Sequence, residues 1–572
     1  MLSPAFCFIP CEKSCATPVE SIEVAGKFSD QPIVRGRSQW SRGLGMLRPS
    51  HSHTAYTASI LLAGSSFLSN IIGLVRSKYV AHVFGASGQT DAYFAAFRLP
   101  DLMNNFLVGG AVSITFVTLL NHYREKGDEE EGERLIFTVL NLMTLVLTAA
   151  TLILMAAAKP LIQRFIAPRF GPAELELCAH MTRLLLPAQI FLFAGSVLGA
   201  TLLVRKQFWF QSFQPIVYNL CIIAGGVFLH YRFGISSLAI GATCGFLLGS
   251  FAINTWGAYR AGVRYQFVID LSHPGLKIWL KMALPLMFGF GLPFLDQFFV
   301  SNYASGSSGD ITRLGNAKQL FSAPMAMLAT AAGVASLPFF SQLWAKGKRF
   351  EFAVGAADAV SRVVALGLLT TSVLVALAHP IVGLFFGGGR FTAGDVDRTA
   401  YYLTLYTLSL LFWSAQAIYA RSFYAAGITW LPMLASTAIL VVAFPLYSLG
   451  FHHYGAAGLA IASDVGIALQ AVVLGLLLHR RRMVSLASLD YAEMGRCLVA
   501  GLVSGAVVWL LFIRLFAQFA PLLGASFLHH ARLIDLGTLT AGTLVWLLAA
   551  KWVLEMCGSA LPRVMMKRLK LS

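Results

Sequence analysis

The sequence predicts an all-α polytopic membrane protein of about fourteen transmembrane helices. It predicts two six-helix lobes, related by a pseudo-two-fold axis along the membrane normal, plus two extra C-terminal helices. Three observations lead there. Only 12% of the 572 residues are charged and 57% are apolar, whereas a soluble domain carries roughly 25% charged residues. Apolar stretches long enough to cross about 30 Å of hydrocarbon recur from about residue 55 to the end of the chain. The first twelve of them read as one six-span unit written twice.

In order, the first lobe is expected to hold spans at about 55–76, 91–121, 134–157, 175–204, 212–231 and 235–258. The second is expected at about 275–302, 312–344, 352–377, 397–425, 428–449 and 454–479, and the last pair at about 495–516 and 533–556. The N-lobe then occupies 55–260, the C-lobe 275–480 and the added pair 495–556, with a basic tail at 557–572. Residues 1–54 are polar and basic, and read as a disordered cytoplasmic tail or as an extension preceding a true start at Met46.

The net charge of +17, from 43 basic against 26 acidic residues, is explained by loop composition without a nucleic-acid partner. Arg124, Lys126, Arg205, Lys206, Arg260, Arg264, Lys346, Lys348 and Arg480–Arg482 all follow even-numbered spans. Loops after odd-numbered spans are poorer in Lys and Arg, except between spans 3 and 4, where Lys159, Arg164 and Arg169 lie. The positive-inside rule then places both termini in the cytoplasm, which requires an even number of spans. Cys7, Cys11 and Cys15 have a helical spacing, but no His or further Cys completes a metal set, so no metal is expected.

The repeat rests on three pairs. "GGAVSITFVTLLNHYREKG" ends at Gly127 and "ATAAGVASLPFFSQLWAKG" at Gly347, 220 positions later. Pro160 and Pro380 stand at the same offset. "LLVRKQFWFQSFQPIV" resembles "IYARSFYAAGITWLPML". An offset of six spans preserves orientation, so the copies are parallel repeats, an architecture that holds substrate between lobes and alternates its access.

Ionisable residues inside spans are expensive and mark sites. Arg76 ends span 1, and Asp91, Arg98 and Asp101 belong to span 2. A guanidinium suits a phosphate because its planar fork donates parallel hydrogen bonds. Arg98 also has Asp101 at i,i+3, so an internal ion pair competes with a ligand role. Asp91 follows "GASGQT" and is open to helix capping or to gating. Pro100, Gly109 and Gly110 interrupt span 2 and make it a bending, cavity-lining helix. Asp296, in the middle of span 7, is open to cation binding, to proton relay or to pairing with Lys318. No phosphate-binding loop and no catalytic constellation is visible, so a transporter rather than an enzyme is expected.

"NIIGLVRSKYVAHVFGASGQTDAYFAAFRLPDLMNNFLVGGA" resembles the N-terminal signature of the MurJ (MviN) family of the multidrug/oligosaccharidyl-lipid/polysaccharide exporter superfamily. "FFGGGRFTAGDVDRTAYYLTLYTLSLLFWSAQAIYARSFYAAGITWLP" is similar to the same family's run from span 9 into span 11. The resemblance implies a lipid II flippase of the bacterial inner membrane, carrying a lipid-linked oligosaccharide from the cytoplasmic to the outer leaflet. It implies membrane lipids and cell-wall synthesis proteins as partners, and no cofactor beyond coupling to a monovalent cation (Na+) or a proton. By the same resemblance Arg76, Arg98 and Lys318 would grip the substrate diphosphate, and Asp91 and Asp101 would gate or pair. Asp296 and Ser463 would be the cation-coupling candidates. The chain departs from the family at Asn70, Asn104, Asn105 and Gln319, where basic residues are usual, and at Ala443 and Tyr447, where partners of Asp296 are usual. A cation-coupled exporter of another lipid-linked glycan or small amphipathic compound, or a non-transporting cell-wall scaffold, are the alternatives.

Overall fold

A computed structural model describes residues 55–107, 111–287, 292–515, 531–559 and 561–562. Helical stretches follow one another through these residues, with no strand among them. The first lobe comprises span 1 (Ala55–Phe84), span 2 (Gly88–Ala96, Arg98–Leu107 and Ala111–Glu125), span 3 (Glu129–Ile166), span 4 (Pro172–Val204), span 5 (Trp209–Phe233) and span 6 (Ser236–Arg260). The second comprises span 7 (Pro274–Met287 and Leu292–Ala304), span 8 (Asp310–Met325 running on to Ala331–Ala345), span 9 (Arg349–Ala376 and Ala378–Phe386), span 10 (Ala393–Ala425), span 11 (Trp430–Tyr454) and span 12 (Ala456–Arg480). Span 13 (Tyr491–Val508 and Trp509–Leu515) and span 14 (Ala531–Met556) complete the expected set.

Among the described residues, ten of these stretches are long and apolar enough to cross a membrane. The remaining four are spans 1, 2, 7 and 8, and they carry Arg76, Asp91, Arg98, Asp101, Asp296 and Lys318. An ionisable residue inside a span is tolerated only where it faces protein or a wet cavity.

The repeat is written into the backbone. Gly127 and Gly347 both turn with positive φ, at 80° and 71°. Lys206 and Gly427 do the same at 60° and 76°, and Gly262 and Arg482 at 90° and 55°. Span 5 ends at Gly234 (φ 52, ψ −136) and span 11 at Gly455 (φ 58, ψ −140), each handing over at once to the next helix. Positive-φ turns recurring at offsets of 220 or 221 residues are what two copies of a single unit produce. Within each hairpin small residues let the backbones meet. A Cβ on Gly225 of span 5 would lie 2.7 Å from the Ser237 carbonyl oxygen and 2.8 Å from the Gly241 Cα of span 6.

Packing divides the chain differently from its order. Trp279, in the first half of span 7, is 1% exposed and its ring lies 5.7 Å from that of Phe116 in span 2. Trp279 and Ala283 belong to the apolar core of spans 1–6. The second half of span 7 packs among spans 8, 11 and 12 instead, through Phe299, Val300 and Ala304. The C-lobe therefore begins, in packing, within span 7 and not at residue 275. Spans 13 and 14 form a separate core with span 9, where the Trp546 indole N–H donates to Ser372 Oγ at 2.9 Å. The 1–54 segment, Gly109, Gly110 and the tail from residue 563 lie outside the described residues.

Candidate functional site: an arginine-lined cavity between the lobes

Pro100 has no amide hydrogen, so the carbonyl four residues earlier, at Ala96, has no helical donor. Thr182 of span 4 supplies one, its hydroxyl donating to the Ala96 oxygen at 3.2 Å. The helix accordingly ends at Ala96 and restarts at Arg98. Removing the hydroxyl strands a buried carbonyl, at a cost of about 1–3 kcal/mol. Thr182→Val is expected to lower the thermal midpoint of the purified protein by a few degrees, with Thr182→Ser close to the parent; equal midpoints for all three would show that the break needs no outside donor.

Arg98 opens the restarted helix and reaches across to span 7. Its Nε donates to Ser301 Oγ at 3.0 Å and its Nη1 donates to Gln297 Oε1. Asp101, on the same helix, stands at 3.7 Å, so the i,i+3 pair forms, but the side chain also ties the lobes together. Arg76 is held differently. Its Nη1 donates to Asn219 Oδ1 at 3.0 Å. The Asn219 amide is fixed in turn by donating to Ser69 Oγ at 3.2 Å and to the Pro215 carbonyl at 3.0 Å. Among the described residues no carboxylate pairs with Arg76, which leaves the rest of its fork uncommitted to an anion of the protein.

Arg76 and Arg98, with Asp101, Tyr93, Tyr218 and Gln297, line one cavity of about 190 Å³. That is room enough for a phosphate group. Two guanidinium groups against one carboxylate leave the cavity with net positive charge in surroundings where charge is poorly screened. Arg98→Ala is expected to weaken function less than loss of Arg76 does, because Arg98's fork is already partly satisfied by the protein; a larger loss at Arg98 would reverse that ranking.

Asp91 was open to helix capping, to gating or to an ion pair. It is 1% exposed and makes no ion pair. Its Oδ2 accepts the Gly309 amide at 2.6 Å, and its Oδ1 accepts the Thr312 amide at 2.8 Å and the Thr312 hydroxyl at 2.6 Å. Span 8 begins after Gly309, whose φ of 86° makes a tight turn and which has no side chain to cap with. A Cβ there would lie 2.6 Å from the Ala86 oxygen. The first lobe thus caps a helix of the second, and an anion at a helix N-terminus is also favoured by the dipole.

Other ties cluster on the same face, the one remote from the start of span 1 and called here the far face. Arg169 Nη1 donates to the Tyr303 carbonyl at 3.1 Å while its guanidinium lies 4.8 Å from the Phe451 ring centroid. Asn302 donates to the Phe165 carbonyl at 2.6 Å, Lys78 to the Leu384 carbonyl at 2.7 Å, and the Arg390 amide to the His82 carbonyl at 2.9 Å. Among the described residues, the hydrogen bonds joining spans 1–6 to spans 7–12 lie at this face or at mid-depth. Arg313, near the start of span 8, is 8% exposed between Asp310 at 2.8 Å and Asp395 at 2.7 Å. The Asp310–Arg313 spacing of three was the sequence signal for that cluster.

Lys318 differs from the expectation. Its ammonium is taken by Asp296 Oδ2, not directed at the Arg76 cavity. Tyr447 donates its hydroxyl to Asp296 Oδ1, and Ser463 lies beside Tyr447. Of the three residues expected to grip a diphosphate, two share the cavity. Gln319, at the position where the family resemblance led to an arginine, accepts the Ser77 hydroxyl at 2.8 Å and forms another lobe-to-lobe tie. Asn70 is exposed on span 1. Asn104 Oδ1 and Asn105 Nδ2 are buried without a hydrogen-bond partner.

The family model described as "Lipid II flippase MurJ" matches residues 80–528. The chain belongs to the MurJ family. Among its relatives, the probable lipid II flippase MurJ of Vibrio cholerae is 26% identical over 465 residues, covering 79% of this chain and 88% of that protein. The lipid II flippase MurJ of Burkholderia cenocepacia is 26% identical over 442 residues, covering 74% and 84%. A solved structure described as lipid II flippase MurJ in an inward closed conformation superposes with a TM-score of 0.71 at 23% identity, covering 87% of this chain and 99% of that one. An inward-facing multidrug resistance MATE transporter of the MOP superfamily gives a TM-score of 0.60 at 16% identity, covering 74% and 98%. The family match takes in Tyr93, Arg98, Asp101, Tyr218 and Gln297 of the cavity and begins just after Arg76, and both structural likenesses show the same fold.

Proposed function

We propose that this membrane protein is a flippase that moves an undecaprenyl-diphosphate-linked peptidoglycan precursor, lipid II, from the cytoplasmic to the outer leaflet of the bacterial inner membrane by alternating access. One observation carries the reading: a guanidinium without a protein carboxylate, Arg76, stands beside Arg98 in a cavity between two lobes that are tied together at the far face. With both termini cytoplasmic, the far face is periplasmic, and the tied state receives substrate from the cytoplasmic side.

In this mechanism the diphosphate meets Arg76 first. Arg98 then exchanges its neutral acceptors, Ser301 and Gln297, for phosphate oxygens, because a negatively charged acceptor adds a Coulomb attraction that a neutral oxygen lacks. That exchange dissolves a tie between the lobes at mid-depth. Release of Asp91 from span 8 opens the far face, and the headgroup leaves on that side. The prenyl tail stays in the membrane along the surface of spans 13 and 14, whose Leu502, Leu547 and Leu548 are exposed. The missing basic residues at Asn70 and Gln319 favour a second reading, a paralogue for another polyprenyl-diphosphate glycan.

Complementation separates the two. The full chain, expressed in a bacterium depleted of its own lipid II flippase, is expected to restore growth and the exposure of lipid II on the outer leaflet. Correct insertion without lipid II exposure would reject lipid II as the cargo and leave the paralogue reading.

A further inference from the structure

We infer that Lys318 is a tethered counter-cation that takes the place a sodium ion would need at Asp296, so that this chain works without sodium at that carboxylate. The inference concerns the second lobe alone and does not depend on which lipid-linked glycan is carried.

The residues present do not fit a metal ion. A hard cation needs several oxygen ligands arranged around it. Asp296 is 1% exposed, and both of its oxygens already meet hydrogen donors, Lys318 on one and Tyr447 on the other. Ser463 is turned to Tyr447, and Ala443, fully buried beside them, has no side-chain oxygen. The usual recruitment of oxygen ligands around such a carboxylate is therefore replaced by a ring of donors.

Charge gives the same answer. Lys318 is close enough to Arg98 and to Asp464 to interact with both. Asp464 Oδ1 is buried without a hydrogen-bond partner, so the ammonium lies within the field of a second carboxylate that helps retain it. A sodium ion entering here would have to displace an ammonium whose local concentration is fixed by its own side chain. It would also add a third positive charge beside Lys318 and Arg98. Removing Lys318, by contrast, leaves Asp296 as an uncompensated buried charge, which a sodium ion can then neutralise.

The test is thermal unfolding of the purified full-length protein, followed by tryptophan fluorescence at pH 8 in sodium chloride or in choline chloride of equal concentration. The parent is expected to unfold at the same temperature in both salts. Lys318→Ala is expected to gain a saturable, sodium-specific rise on the order of a few degrees, and the rise is expected to vanish when Asp296→Asn is added. Lys318→Met, which keeps the stem and removes only the charge, serves the same purpose if the alanine variant does not fold. A sodium-dependent rise in the parent overturns the inference, and so does a folded Lys318 variant that ignores sodium.

Discussion

Arg76→Ala is expected to abolish rescue of flippase-depleted cells at unchanged membrane levels, while the purified variant unfolds close to the parent's temperature. The two halves of that result come from different bonds. Among the described residues Arg76 makes one hydrogen bond, to the neutral Asn219, and losing it costs about 1.5 kcal/mol. Toward a diphosphate the same side chain offers charge-assisted bonds of about 1.5–3 kcal/mol each, so two of them change affinity by about a hundredfold or more. Arg76→Lys keeps the charge but loses the fork and is expected to fall between the two. Full activity in Arg76→Ala would remove the arginine from the site, and with it the observation on which the proposed function rests.

Asp91→Ala is expected to open the far face. Three donors converge on that carboxylate, the amides of Gly309 and Thr312 and the Thr312 hydroxyl. In the closed state each would be left without an acceptor, at about 1–3 kcal/mol apiece, whereas in an open state water can serve them. The balance between states therefore shifts by several kcal/mol, on the order of a hundredfold or more. Ser305, 6% exposed in the closed form, reports it. A cysteine at that position is expected to react with a membrane-impermeant maleimide at least ten times faster, roughly, when Asp91 is alanine. Asp91→Asn keeps one acceptor oxygen but turns an amide group toward a donor, and is expected to lie between. Unchanged reactivity in both variants would mean that the capping contact does not govern opening.

What could be read from the sequence was what short-range pattern encodes. The spans declared themselves through apolar length and through basic residues after even-numbered helices. The repeat showed in Gly127 and Gly347, because a left-handed turn constrains residue choice wherever it recurs. The Pro100 break and the Arg98–Asp101 pair were legible because each acts within one turn of helix. Contacts between lobes were not. Asp91 reaches a helix end 218 residues away, and nothing near it in sequence announces a partner there. Lys318 was assigned to the substrate by the family resemblance, and of the roles left open for Asp296 the pairing with Lys318 is the one that forms. Tyr447 looked like the loss of an Asp296 partner and is instead a donor to it. The first half of span 7 looked like its own lobe's opening helix, yet Trp279 finds its aromatic partner in the other.

The glycine turns at 234 and 455 constrain how the chain can be assembled as well as how it is folded. Span 6 begins two residues after Gly234, and span 12 one residue after Gly455. A residue of extended chain covers at most about 3.6 Å, so span 5 cannot settle across the bilayer while span 6 waits in water. Each pair has to enter the membrane together, with its glycine seam already closed. Synthesis would then lay down two prefabricated hairpins, one per lobe, against which the polar, interrupted spans are fitted afterwards.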